Sequence, residues 1–454
     1  MTDFLIRNAA AIMTGQPGDA ARTEGDAIRV RAGRIEAVGR LQPQPGETVH
    51  DASGCVIYPG WVNTHHHLFQ SVMKGIPAGI DAPLFNWLEA VPVSYRRYLD
   101  ADSIRVAATI GMAELLLSGC MTIADHHYAY WPGMGFDSSA ILFEVAEALG
   151  VRYVLMRGGA TKVRAFETDA PPQSRPETLE QILEGVARDV ARFHQPQGDA
   201  MRRVVMAPTT PTFSVEPHEL PIFAREARRL GIRLHTHLSE TQDYVRYCAE
   251  VHSCTPVEFV ERHEWTGEDV FFAHAVHLTE AEMRTMARTG CGMAHCAQSN
   301  CRLGSGIAPA PAFARMGGRV SLGVDGAASN EAADMISEAH SAWHVHRAAH
   351  GADAVRVEDV INWGTRGGGD VLGLDLVGGI APGMAADLAV YALDHLRYAG
   401  LHDIALAPVI CAGQAHLKYG FCNGRLVVED GRIPGLDLPG LMREARAQVA
   451  RMRQ

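Results

Sequence analysis

Apolar and polar residues along this chain follow two rhythms. Short apolar runs of strand length fall at Val56–Val62, Met121–Ala124, Val151–Met156, Arg203–Ala207, Gly231–His237, Val270–His274, Cys291–His295 and Val320–Asp325. Between them lie stretches whose apolar positions recur with helical spacing, among them Asp102–Leu117, Pro176–Phe193, Pro217–Leu230 and Thr279–Thr289. Strand runs alternating with helices in this way predict an α/β fold, a TIM-like parallel (β/α)8 barrel. An open doubly wound sheet would favour a glycine-rich nucleotide loop after its first strand, and no G-x-G-x-x-G stands there.

The two ends read differently. Phe4–Ile6, Ala27–Val30 and Ile35–Val38 are short β-rich runs, the last two separated by the turn-like Arg31-Ala32-Gly33-Arg34. Asp387–Tyr391 and Arg425–Val428 look the same, with Asn423-Gly424 as a hairpin signal. Two β-rich ends around a long middle predict that they meet in one small β-sandwich. The expected division is 1–57 with 378–435 for the sandwich, 58–377 for the barrel, and a terminal helix in 436–454, at Leu438–Met452.

Composition narrows the partners. The 454 residues carry a formal net charge of −11, which argues against a nucleic-acid binder that tracks phosphates with a basic face. It leaves room for a small heterocyclic substrate. The nine cysteines are scattered without a C-x-x-C pair, so neither a disulfide framework nor a structural zinc site is expected. The N-terminus lacks the pattern of a signal peptide, and no stretch reaches the roughly 18 apolar residues of a membrane span. A cytoplasmic protein without a membrane partner is the expectation.

The candidate chemistry sits at the ends of the apolar runs. Asn63-Thr64-His65-His66-His67 follows the first run; alternation along a strand turns His65 and His67 to one face and His66 to the other. Two imidazoles at i and i+2 can reach one ion at about 2.0–2.1 Å. His235 and His237 likewise share a face, and one of them can supply a third ligand. Ser239 has the spacing to cap the helix that follows, with Gln242 completing a capping box, and Glu240 would lie at that helix's start. A carboxyl there can shuttle a proton beside a metal. His274 closes the sixth run and Asp325 the eighth. Histidines and carboxylates thus cluster at one end of strands one, five, six and eight, the face where barrel enzymes place their chemistry. Three histidines and an aspartate suit zinc, and ferrous iron would also bind.

With PGWVNTHHH (59–67), HTHLSE (235–240), FAHAVHL (272–278), HCAQSNCRLGSGIAP (295–309), GVDGAASN (323–330) and GMAADLAVY (383–391), the chain resembles the amidohydrolase superfamily nearly end to end, in its chlorohydrolase and aminohydrolase branch. The resemblance implies His65, His67, His237 and Asp325 as ligands of one Zn2+. Asp325, Glu240 and His274 would be catalytic: Asp325 takes a proton from water, Glu240 protonates the ring nitrogen, and His274 stabilises the attacking oxygen. The fourth strand run has no lysine, which favours the one-metal type over the two-metal type. Family analogy also implies a homo-oligomer. The runs VNTHHHLFQS (62–71), DHHYAYWPGMGFDSSAILFE (125–144) and RGGAT (157–161) are similar to the deaminases acting on isoxanthopterin and 8-oxoguanine, with the pterin favoured. Gln70, Trp87 and Arg157 are the candidate substrate contacts, and Phe85, Tyr128, Tyr130 and Trp131 are aromatics that can stack on a flat ring. A triazine-type chlorohydrolase and a barrel that has lost catalysis are the rival readings.

Overall fold

A computed structural model describes residues 3–163 and 172–454. Its centre is an eight-stranded parallel sheet in sequential order: Trp61–Asn63, Cys120–His127, Arg152–Arg157, Arg202–Met206, Leu234–Leu238, Val270–His274, Gly292–His295 and Arg319–Leu322. We number these strands one to eight. Strands one and eight meet through Thr64, whose amide and hydroxyl both donate to the Leu322 carbonyl at 3.0 and 2.8 Å. The sheet therefore curls into a (β/α)8 barrel. Val62, Ala124, Val154, Met156, Val205 and Phe271 fill its interior, joined by Val371, Leu372 and Val377. The opposite residues of the same strands, among them Ile123, Tyr153, Leu155, Val204 and Phe272, pack against the helices. Period-two alternation thus separates an inner core from an outer one.

The helices begin where side chains satisfy their free amides. Asp100 and Ser103 form a capping box for Ala101–Leu117, Thr178 and Gln181 one for Leu179–Phe193, and Thr279 and Glu282 one for Glu280–Thr289. The expected Pro217–Leu230 helix is a short 3-10 turn at Pro217–Glu219 running into Leu220–Arg229. Leu438–Met452 is helical over the expected span. No helix among the described residues is long and apolar enough to cross a membrane.

The two chain ends pair as expected. One sheet of four strands runs Arg34–Gly39, Ala27–Arg31, Phe4–Arg7, Thr48–Asp51. A second, of six, runs Arg425–Glu429, His416–Cys422, Leu388–Ala392, Cys55–Pro59, Ala11–Met13, Arg22–Thr23. Their inner faces share a core of Phe4, Ile6, Ile28, Val30, Ile57, Leu388, Val390 and Phe421. Both hairpin signals hold: Ala32 and Gly33 have φ of 47° and 81°, Asn423 and Gly424 48° and 73°, the pair of positive angles a two-residue turn needs.

One expected element is corrected. Val56–Val62 is not a single strand: Cys55–Pro59 belongs to the six-stranded sheet, and only Trp61–Asn63 enters the barrel. The break falls at Gly60, where a Cβ would stand 2.5 Å from the Met121 side chain, so the chain can cross between the sheets only without one. An apolar run buried in two successive sheets looks continuous in sequence.

Arg152 and Asp387, both fully buried and ion-paired, join barrel strand three to the sandwich, and Asp387 also accepts from the Asn423 amide at 2.6 Å. Asp387→Asn would leave the Arg152 cation uncompensated. It should cost about 3–5 kcal/mol in denaturant unfolding, and an unchanged midpoint would refute a structural role for the pair.

Candidate metal centre and active site

The ends of strands one, five, six and eight bring their histidines and carboxylates to one point. His65 and His67 lie just beyond strand one, and both turn Nε2 toward Asp325 Oδ1, at 3.4 and 3.2 Å. His237 Nε2 is 3.3 Å from His67 Nε2. His66 points away, its Nδ1 accepting from the His67 amide at 2.7 Å.

The second nitrogen of each ring fixes what the first can do. His67 Nδ1–H donates to the His126 carbonyl at 2.7 Å, and His237 Nδ1–H to the Thr209 carbonyl at 2.6 Å. A carbonyl only accepts, so in the neutral rings the lone pair is on Nε2. His65 is fixed through a relay. His235 Nδ1–H donates to the Phe271 carbonyl at 3.1 Å, which makes His235 Nε2 an acceptor; His65 Nδ1–H then donates to it at 3.0 Å. His65 Nε2 remains buried with no hydrogen-bond partner. Asp325 Oδ2 accepts from Ser299 Oγ at 2.5 Å and Ser329 Oγ at 3.2 Å, leaving Oδ1 toward the imidazoles. Three nitrogen lone pairs and one carboxylate oxygen converging in a buried site are the donor set of a single divalent ion such as zinc, so the residues fit the group.

The electrostatics agree. Burial drives His65 down to about 3 and His237 well below its usual range, so both present lone pairs at neutral pH. Burial also pulls on His67, but the Asp325 carboxylate outweighs it and the net shift is upward. Burial would raise Asp325; the neighbouring His65 and His67 imidazoles reverse this and hold it well below the carboxylate range.

Glu240 and His274 stand beside this cluster, with 3.7 Å between Glu240 Oε2 and His274 Nε2. Burial raises the Glu240 pKa. His274 Nδ1–H donates to Asn300 Oδ1 at 2.9 Å, which orients Nε2 toward the site. The backbone turns that deliver these groups are unusual: φ is positive at Ser239, His274 and Asp325, at 51°, 67° and 61°. The capping box expected at Ser239 is corrected accordingly. Thr241 is the N-cap of helix Gln242–His252, and Ser239 Oγ donates to the His277 carbonyl at 2.7 Å. Glu240 thus precedes the helix, in the left-handed turn that opens it toward the barrel mouth.

Above the cluster opens a pocket toward solvent. His67, His237, Glu240, His274 and Asp325 line its base; Leu84, Phe85, Trp87, Leu88, Tyr128, Phe213, Tyr244 and Leu303 make its walls, with Thr209, Thr210 and Thr241. Trp87 Nε1 donates to the Ala328 carbonyl at 3.2 Å. Gln70 is fully buried behind this wall, with Nε2 donating to Tyr128 Oη at 3.1 Å and Oε1 without a partner. Arg157 lies elsewhere. Its guanidinium grips Glu177 through two bonds of 2.6 and 2.7 Å, stacks on Tyr130, and borders a separate cavity with Tyr130 and Trp131. Val154 and Met156 point inward on the same strand, so Arg157 falls on the helix-facing side. Phe213 and the threonines were missed because they lie in loops without a strand signal, and Tyr244 because it lies on helix Gln242–His252.

A parallel barrel whose rim carries a buried His3Asp cluster defines the class of barrel hydrolases with a metal-binding mouth. The chain belongs to the amidohydrolase family, whose model matches residues 56–427. It is similar to isoxanthopterin deaminase of an unknown prokaryotic organism, 52% identical over 98% of this chain and 96% of that protein. It is also similar to 8-oxoguanine deaminase of Pseudomonas aeruginosa, 37% identical over 99% of each chain. Among solved structures, the zinc complex of atrazine chlorohydrolase from Arthrobacter aurescens TC1 superposes with a TM-score of 0.91 at 27% identity, covering 98% of this chain and 100% of that one.

Asp325→Asn should reduce bound metal, turnover or both, and normal metal content with a normal rate would remove Asp325 from the site. His235→Phe cuts the relay to His65 and should weaken metal affinity about 10–100-fold, measured by competition with a chelator; parental affinity would show that the relay is dispensable.

Proposed function

We propose that this chain hydrolyses the exocyclic amine of a 2-amino-4-oxo bicyclic heterocycle, most readily isoxanthopterin, releasing ammonia. The observation that carries this reading is the convergence of His65, His67, His237 and Asp325, with Glu240 and His274 beside them at the foot of an aromatic pocket, in a chain half identical to an isoxanthopterin deaminase. The likeness to an 8-oxoguanine deaminase makes the oxidised purine the second reading. Both rings present the same kind of reacting carbon, between two ring nitrogens and bearing the amine.

His65, His67, His237 and Asp325 would hold one zinc ion. The zinc complex of the chlorohydrolase neighbour supports that metal over iron. When bound, such an ion supplies Lewis acidity and lowers the pKa of water toward neutrality. The protein's own groups do the rest. Asp325, held ionised through its hydrogen bonds, accepts a proton from the attacking water through Oδ1. Glu240, its pKa raised by burial, gives a proton to the ring nitrogen as the carbon becomes tetrahedral, then relays one to the departing amine. With Nδ1 anchored on Asn300, His274 aims Nε2 at the oxygen adding to the ring and stabilises it. Water has then replaced ammonia at that carbon. Trp87, Phe85 and Tyr128 offer faces and edges to a flat ring, and Gln70 supports the pocket through Tyr128. Arg157 acts on this reading as the buried partner of Glu177. Homo-oligomeric assembly in the cytoplasm completes the proposal.

The test is ammonia release from isoxanthopterin, pterin, 8-oxoguanine, guanine, isocytosine and cytosine, with metal measured on the same sample. Release fastest from isoxanthopterin is expected; release fastest from 8-oxoguanine selects the second reading, and none from any substrate with zinc bound discards the substrate class. Glu240→Gln should keep zinc and lose at least about 100-fold in kcat. Undiminished turnover would end its role as proton shuttle.

A further inference from the structure

Three groups in the proposed chemistry are touched by one short piece of chain. Helix Ala297–Arg302 follows directly on strand seven. From it, Ser299 Oγ donates to Asp325 Oδ2 at 2.5 Å, and Asn300 Oδ1 accepts from His274 Nδ1 at 2.9 Å. The loop beyond folds back, with the Ser305 amide donating to the Asn300 carbonyl at 2.8 Å, and the Ser305 hydroxyl lies against Glu240. A displacement of this helix moves the surroundings of Asp325, His274 and Glu240 together.

A helix of six residues does not hold its place by itself, and its N-cap residue, Cys296, makes no side-chain cap bond. The missing anchor comes from another element. Glu338, in helix Met335–His350, reaches across and accepts from the Ala297 amide at 2.5 Å, from the Gln298 amide at 3.4 Å and from Gln298 Nε2 at 3.0 Å. Its side chain is fully buried, and it forms no salt bridge among the described residues. A buried carboxyl without a countercharge is costly, and an ordinary cap would use a serine or aspartate at the N-cap itself. Glu338 does not line the substrate pocket. Its cost is therefore matched by what the helix does rather than by any contact with substrate.

We infer that Glu338 is a positioning residue for the hydrolysis, fixing helix Ala297–Arg302 so that Ser299 and Asn300 hold Asp325 and His274 in reacting register. The inference rests on the proton-transfer roles proposed above. Asp325 is oriented in two ways: Ser329 holds it locally, and Ser299 couples it to the helix. His274 depends on the helix alone for its Nδ1 bond.

The test compares the parent, Glu338→Ala, Glu338→Gln, Asn300→Ala and the double variant E338A/N300A, with Glu240→Gln alongside, measuring zinc content, kcat and KM for isoxanthopterin. Misplacing catalytic groups by an ångström costs up to about 100-fold in rate. Glu338→Ala is therefore expected to keep its zinc and its KM within about threefold while kcat falls at least about tenfold, the signature of lost transition-state interaction. Glu338→Gln, which matches the shape but sets its amide against Gln298 Nε2, is expected to fall between the two and carries the comparison if the alanine variant does not fold. The double variant should lose less than the product of the single losses, because both substitutions act through one helix. A kcat per bound zinc within about twofold of parent for the glutamate variants, or independent multiplication in the double variant, would overturn the inference. If Glu240→Gln retains turnover, the proton-transfer reading fails instead; parental Glu338 variants beside an inactive Glu240→Gln overturn the positioning role alone.

Discussion

The structure depends on aiming three imidazole lone pairs and one carboxylate oxygen at a single buried point. Buried polar groups without partners are costly, and here the remaining atoms of each group are satisfied so that only the converging atoms stay open. His67 and His237 are aimed by backbone carbonyls, His65 by a second histidine that is itself held by a carbonyl. The carbonyls belong to strands two and six and to the loop after strand four, at His126, Phe271 and Thr209, so the barrel backbone dictates the tautomers. A side chain in place of any of these carbonyls would have rotamers to choose among; strand ends do not. The rigidity of the metal centre is in this sense a property of the sheet.

That dependence explains what could be read from the sequence. Strand runs and helix caps are local signals, and the eight-strand alternation, the two tight hairpins and the terminal helix were legible because each is written in neighbouring residues. The break at Gly60 was not, because Cys55–Pro59 and Trp61–Asn63 are both apolar and both buried, in different sheets. Only the contact with Met121, distant in sequence, shows why the glycine is there.

The candidate site was legible for the same reason and failed at the same limit. Parity along strand five places His235 and His237, and the i, i+2 spacing just beyond strand one keeps His65 and His67 together; the four rings cluster. Parity applied to strand three also turns Arg157 outward, since Val154 and Met156 face in; reading a strand end without its alternation makes it look like a pocket residue. His274, the last residue of strand six, and Asp325, beyond strand eight, escape parity, because left-handed backbone at each re-aims the side chain. Their place at the ends of apolar runs singled them out, and the resemblance supplied the roles expected of them. Glu338 and Ser299 carried no signal at all, as their significance lies in a contact between elements some forty residues apart.

The seam of the barrel and the metal centre are one construction. Strands one and eight close the sheet, and beyond their last paired residues the Asp325 amide donates to the His65 carbonyl at 2.9 Å while the Val324 amide donates to Asn63 Oδ1 at 2.9 Å. Two positions of the proposed ligand set are thus bonded to each other through the backbone, across the one junction of the barrel made by first and last strands. Closing the barrel brings His65, His67 and Asp325 together; opening the seam separates them. An ion bound between them would in turn resist opening, so metal binding and barrel closure draw on the same free energy. This junction closes the longest stretch of chain between any two neighbouring strands of the barrel, and the proposed ion site lies on it.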